Sequence, residues 1–267
     1  MNARSFPELA GGALLVLAGG AFFLRLGAPP VQEREIAGYA TNLQGRTPGQ
    51  RHNARLAADA LNGRVIAPGA VFSFNRTVRS WSLDQGYVKA PVSYDGELVR
   101  AYGGGVCQTS TTLYNAALLA GLPILERHAH VFAPHYVPPG RDAAVAQRNI
   151  DLRLRNPYSW PLRIRAAARG DRLEVRIYGT DVPEETVQVS GELLSTLAPL
   201  PRTRTVYQTE GTTGRAYIRT PGATGYRVVT YRLFCRNGRE ARRERLADDT
   251  YQAMDRVTQI NEETAHP

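Results

Sequence analysis

Hydrophobic positions change their spacing several times along this chain. Residues 9–24 are almost continuously apolar between Arg4 and Arg25, with no polar face. Residues 25–50 then mix Pro, Gly, Gln and charge without periodicity, which predicts a linker over 31–50. Leu56, Ala57, Ala60 and Leu61 fall at helical spacing, predicting a helix over 52–61 that stops at Asn62-Gly63. Val65-Ile66 and Val71 to Phe74 read as strands around a Pro68-Gly69 turn, and short extended pieces continue as far as Tyr102. Leu113, Ala116, Ala117 and Ala120 return to helical spacing, with Gly121 as a left-handed cap and Pro123 as a stop. Beyond this the chain reads as extended over 124–137, 151–167 and 172–178. Ile150, Leu152 and Leu154, then Leu162, Ile164 and Ala166, alternate as half-buried antiparallel strands do. Residues 180–203 are polar and take no firm assignment. Strands are expected at 206–209, 226–234 and 239–246, the last two joined by an Asn237-Gly238 hairpin turn. The expected fold class is α+β: a mainly antiparallel β domain with a short helix near residue 107, then a smaller β-rich domain.

The apolar run is somewhat short of the roughly 20 residues that cross a bilayer comfortably, a mismatch that tilt or thinning absorbs. Leu26-Gly27-Ala28-Pro29-Pro30 is a poor cleavage site, so residues 1–30 read as an uncleaved membrane anchor with the remainder outside the cytoplasm. Secretion after signal cleavage is the alternative. The net charge of +9 comes from 33 basic residues, nearly all arginine, against 24 acidic ones. No zinc-finger spacing, ribonucleoprotein signature or helix-turn-helix pattern accompanies it, so nucleic acid is not an expected partner. With an external location, an anionic envelope polymer is the electrostatic partner that fits.

Chemistry concentrates in Gly103-Gly104-Gly105-Val106-Cys107-Gln108-Thr109-Ser110. The glycines permit positive φ and close approach, and they deliver Cys107 to the first turn of the expected helix, where unpaired amides and the helix dipole favour a thiolate. A packed, unreactive thiol is the competing reading. Cys235 is the second cysteine, so one disulfide is permitted, although the two fall in different expected domains. A cysteine nucleophile needs a base, and His128, His130 and His135 lie in one stretch, with His128 and His130 on one face if that stretch is a strand. Asp142 is placed to orient an imidazole, or to fix a turn beside Gly140. Gln108 is placed to offer an amide donor to an oxyanion, while Gln108, Thr109 and Ser110 are also ordinary capping residues. Cys107 with the three histidines is a permissible zinc donor set, but it lacks the paired cysteines of structural sites, so no metal is assigned. No phosphate-binding fingerprint is present, and no cofactor is expected.

Ile66 to Asn75, Gly103 to Ala116, and Glu126-Arg127 with His130, Tyr136, Gly140, Asp142, Ala143 and Val145 together resemble the VanW family over about residues 50–180. One departure stands out: where the family often has Val-Gly-x-Arg-Thr, this chain has Val78-Arg79-Ser80-Trp81-Ser82. The Pro221-Gly222 turn, residues 226–234, Asn237-Gly238-Arg239 and Arg243 to Leu246 look like a G5 module, a strand-rich envelope domain linked to wall or glycan binding. The resemblance implies a VanW-like domain over 51–180, a G5-like extension over 181–267, and a bacterial cell-envelope protein that binds peptidoglycan or another wall polymer. It singles out His130 as the base and adds Arg127 and Tyr136 to Gly103, Gly104, Gly105, Gln108, Thr109 and Ser110 as substrate-binding candidates. The alternative it leaves open is a cysteine peptidase or transpeptidase acting on peptidoglycan stem peptides, with Cys107, His130 and Asp142 as its catalytic residues.

Overall fold

The computed structural model describes residues 32–94, 97–147, 149–208 and 216–263. The apolar run at 9–24 lies outside them, and among the described residues no helix is long and apolar enough to cross a membrane. The first part of the chain runs β1 (Arg34–Asn42), α1 (Pro48–Leu61), β2 (Val65–Ile66), β3 (Val71–Ser73), α2 (Phe74–Val78), β4 (Lys89–Tyr94), β5 (Glu97–Tyr102), α3 (Val106–Leu119), β6 (Ile124–Glu126), β7 (Arg153–Arg155), β8 (Leu162–Arg169) and β9 (Arg172–Gly179).

β1, β9, β8 and β2 form an antiparallel sheet in that spatial order. Along β8 and β9, Leu162, Ile164, Leu173, Val175 and Ile177 are fully buried and share one core with Ala54, Ala57 and Leu61 of α1 and Leu113 and Ala117 of α3. The alternate positions face the other way, where Arg163 and Arg165 pair with Glu33, and Arg172 and Arg176 with Glu174. The period of two thus separates an apolar face under two helices from an ion-paired face. Two smaller units flank this layer: the three strands β3-β7-β6 and the hairpin β4-β5.

Residues 34–42, expected within a linker, are the edge strand β1, paired with β9 from Arg34↔Gly179 to Asn42↔Arg172. Ala37, Gly38, Ala40 and Thr41 give β1 little apolar alternation. It is held by its ladder bonds and by α3, where the Thr41 and Thr112 hydroxyls meet at 2.9 Å. α1 also starts before residue 52. Thr47 caps it, accepting from the Gln50 N–H while the Gln50 side chain accepts from the Thr47 N–H, and Pro48 occupies the first turn. The strand expected over 124–137 ends at Glu126. His128 makes only an isolated bridge to Ala144, and Pro134, Pro138 and Pro139 remove ladder donors from the stretch beyond it.

The rest of the chain is β10 (Thr186–Leu197), β11 (Pro201–Gln208), β12 (Ala216–Thr220), β13 (Gly225–Arg236), β14 (Arg239–Tyr251) and β15 (Arg256–Glu263). β10 fills much of the stretch that takes no assignment from sequence, and Thr209 lies outside the described residues. β10-β13-β14 is an antiparallel sheet whose β13–β14 hairpin turns at Asn237-Gly238, both with positive φ. β11-β15-β12 is a second sheet in which β11 and β15 run parallel. These strands are not a detached extension, because Gln32 onward forms one compact unit. Arg232 of β13, almost fully buried, donates to the Leu122 carbonyl just beyond α3 at 2.7 Å, and Thr230 packs on Gly140.

Candidate functional site

α3 begins at a turn that only glycine can make. Gly105 has φ of 109°, and a Cβ there would lie 2.2 Å from the Gln50 carbonyl oxygen. At Gly103 a Cβ would meet the Trp81 ring at 2.3 Å, and at Gly104 the Pro91 carbonyl at 2.6 Å. The glycines therefore allow close packing against the protein's own chain. Their product is the placement of Cys107 in the first turn of α3. Val106 N–H donates to Gly103 and Gln108 N–H to Gly105, while the Cys107 N–H has no acceptor among the described residues.

The structure brings Cys107, His130 and Asp142 together. His130 lies on the irregular segment after β6, and its Nδ1 donates to Asp142 Oδ2 at 2.5 Å while its backbone N–H donates to the same oxygen at 2.7 Å. Its ring also lies within electrostatic reach of the Cys107 sulfur. With Nδ1 taken by Asp142, Nε2 is the nitrogen left for Cys107. Asp142 is wholly buried. Its second oxygen accepts from Arg127 Nη2 at 2.9 Å and from the Tyr251 hydroxyl at 2.5 Å. Tyr251 in turn accepts from the Gly140 N–H at 2.8 Å, and Arg127 is anchored from its far side by Asp249 at 2.6 Å. Every lone pair of this carboxylate is engaged, which fixes its position and its charge.

The electrostatics come from those contacts. Burial raises the Cys107 thiol, but His130 and its positive charge, with a backbone contact at Val145, more than offset it and hold the thiol below its ordinary value. Burial opposes a charged His130, yet its bond to Asp142 and the negative charges of Asp142 and Cys107 raise it to about 10. Burial also raises Asp142, and His130, Arg127 and Tyr251 together bring it below the usual carboxylate range. The arrangement makes a thiolate–imidazolium pair easier to form than it is between free side chains.

Several residues expected to bind substrate are otherwise engaged. Gln108 is buried, and its amide nitrogen donates to Thr41 Oγ1 at 3.1 Å and to the Asn42 carbonyl at 2.9 Å, so it has no donor left for an oxyanion. Thr109 bonds the Ala54 carbonyl, and Ser110 bonds the carbonyls of Cys107 and Ala143. Arg127 is occupied by Asp142 and Asp249. Tyr136 is an electrostatic neighbour of the sulfur, and its ring centroid lies 4.9 Å from the Arg46 guanidinium. His128 pairs with Glu126, and His135 meets Tyr136 edge-on. Both cysteines are free. No group of three or more metal-binding side chains occurs among the described residues. Sequence reasoning missed Tyr251 and Asp249, more than a hundred residues from Asp142, and Arg46. Only the fold brings them in.

Comparison with known proteins fits this layout. Residues 49–178 match the family described as VanW like protein, and residues 198–261 match the G5 domain. The chain is 38% identical over 152 residues to the uncharacterized protein YoaR of Bacillus subtilis (strain 168), covering 57% of this chain and 50% of YoaR. It is 31% identical over 143 residues to the vancomycin B-type resistance protein VanW of Enterococcus faecalis (strain ATCC 700802 / V583), covering 52% of each. The chain therefore spans about half the length of these curated relatives. The solved IgA1 protease G5 domain aligns with 31% of this chain and 96% of its own length, at 16% identity and a TM-score of 0.20. The chain thus carries a VanW-like domain at residues 49–178 and a G5 domain at residues 198–261.

Proposed function

We propose that this protein is a cysteine-dependent acyl-transfer enzyme of the bacterial cell envelope, acting on peptides of the wall. Its main support is the placing of Cys107, His130 and Asp142 together, with the His130 ring bonded to Asp142 and electrostatically coupled to the Cys107 sulfur. A nucleophile, a base within reach and a buried group that orients the base are the parts such catalysis needs. The Cys107 thiolate attacks a peptide carbonyl, and the oxyanion that forms meets the unpaired Cys107 N–H at the start of α3. His130 passes its Nε2 proton to the departing amine, leaving a thioester on Cys107. Water, or the amine of a second peptide, then attacks that thioester as His130 takes up the proton, and Cys107 leaves as the thiolate, restoring the starting pair. Water gives a peptidase and an amine gives a transpeptidase.

Attachment to a wall polymer, peptidoglycan above all, belongs to the same proposal. The G5 match, the relative named for vancomycin resistance and the arginine-rich composition support it. Residues 9–24 support an extracytoplasmic location behind an amino-terminal membrane segment. The test is incubation of the purified full-length protein with peptidoglycan fragments, read by mass spectrometry of the peptides and of Cys107. Shortened or cross-linked peptides, abolished by Cys107→Ser while wall binding persists, are the expected result. Wall binding with no change in any peptide and no acyl group on Cys107 would overturn the catalytic part.

A further inference from the structure

Arg46 borders this site through Gln108 and Tyr136, with most of its donors unused. It lies in the turn between β1 and α1, and its backbone is clamped there: the Arg46 N–H donates to the Leu43 carbonyl at 3.0 Å, and the Arg46 carbonyl accepts from Arg51 Nε at 3.1 Å. Its side chain is held as firmly. Nε donates to Gln108 Oε1 at 2.9 Å, and Gln108 is itself fixed by Thr41 and Asn42. The guanidinium lies over the Tyr136 ring, 4.9 Å from its centroid. Gln108 is the residue after Cys107, and Tyr136 is an electrostatic neighbour of the sulfur, so both supports belong to the wall of the nucleophile's site.

No carboxylate answers this charge among the described residues, and the two terminal nitrogens, Nη1 and Nη2, have no protein acceptor there. Other arginines of this chain pair with carboxylates freely, as Arg127, Arg163 and Arg176 do. A part-buried cation without a partner is destabilising, and burial lowers the hold of Arg46 on its proton. A rigid planar fork with two parallel free N–H edges matches a carboxylate.

We propose that Arg46 binds a carboxylate of the substrate beside Cys107, through its two terminal guanidinium nitrogens. This rests on Cys107 being the nucleophile. The ligand class it implies is an acyl donor or acceptor peptide with a free carboxylate close to the reacting carbonyl. Arg46 then sets which peptides are positioned for attack, and Gln108 acts through Arg46 as its support.

The test compares alkylation of Cys107 by iodoacetate, which carries a carboxylate, with alkylation by neutral iodoacetamide at pH 7, using the full-length protein. In both, the thiolate displaces iodide from the methylene carbon, so only recognition of the carboxylate differs. The iodoacetate-to-iodoacetamide rate ratio is expected to fall about tenfold or more in Arg46→Gln, and Arg46→Lys should recover only part of it. A second reading needs no variant: N-acetylglycine should protect wild-type Cys107 from iodoacetamide, and N-acetylglycinamide should not. An unchanged ratio, or equal protection by the two compounds, overturns the role of Arg46 and leaves the nucleophile standing. Cys107 that reacts with neither reagent overturns both.

Discussion

Asp142 shows how one side chain can be legible in sequence while its role is not. Its distance along the chain from His130 and the nearby Gly140 fit either an orienting carboxylate or a turn residue. In the structure both oxygens are engaged inside the protein, and one of them holds His130. The charge on Asp142 helps keep His130 protonated up to about pH 10. Asp142→Asn keeps the shape and removes that charge, so the His130 titration should move down by at least about one unit, measurable by NMR of the imidazole ring. The direction comes from sign alone: losing a neighbouring negative charge favours the neutral ring. Cys107 and His130 are legible for the same reason as Asp142, since their residue types carry chemistry. Arg46 is not, because its meaning depends on Gln108, which accepts from its Nε, and on Tyr136, whose ring lies under its guanidinium, neither near it in sequence.

Among the helices and strands, those with strong periodicity can be read from spacing, and the weakly patterned pieces cannot. β8 and β9 show themselves through Leu162, Ile164, Leu173, Val175 and Ile177. β1 does not, since its small side chains show no period and its stability comes from pairing with β9 across more than a hundred residues of sequence. The segment after β6 misleads in the opposite sense: it is rich enough in Val, Phe and Tyr to read as a strand, and its prolines decide against one. The departure at Val78-Arg79-Ser80-Trp81 has a structural correlate at the end of α2. Arg79 holds φ of 63° and ψ of −149°, a region suited to glycine, where the family often has glycine. Arg79→Gly should therefore stabilise the protein by about 1 kcal/mol in denaturant unfolding, the relieved strain exceeding the added freedom of the unfolded chain. Trp81, two residues on, packs over Gly103 and so closes one side of the turn that presents Cys107.

Across the whole molecule, the region matched by the G5 domain is part of the site rather than a passenger. Tyr251 and Asp249 of β14 reach Asp142 and Arg127, so the carboxylate behind His130 is held from both matched regions at once. Sequence could not show this, because hairpin and turn signals fix the strands of the carboxy-terminal part but not the surface on which they pack. Tyr251→Phe removes the donor to Asp142 and the acceptor of the Gly140 N–H. It should cost about 1–3 kcal/mol in stability. It should also slow alkylation of Cys107 at neutral pH, although residue 251 lies far outside the VanW-like segment. Loss of stability with no change at Cys107 would show that β14 braces the fold without tuning the site.

The reading of the site depends above all on the ion pair between Cys107 and His130. The decisive measurement is the pH dependence of Cys107 alkylation by iodoacetamide, read by mass spectrometry in the wild type and in His130→Ala. Labelling in the wild type should titrate well below the free-cysteine value of about 8.5, because the thiolate forms while His130 is still charged. In His130→Ala the titration should move up to that value or beyond, since only the Val145 contact then opposes burial. A wild-type thiol that titrates at or above about 8.5, or a titration that His130→Ala leaves in place, would contradict the ion pair.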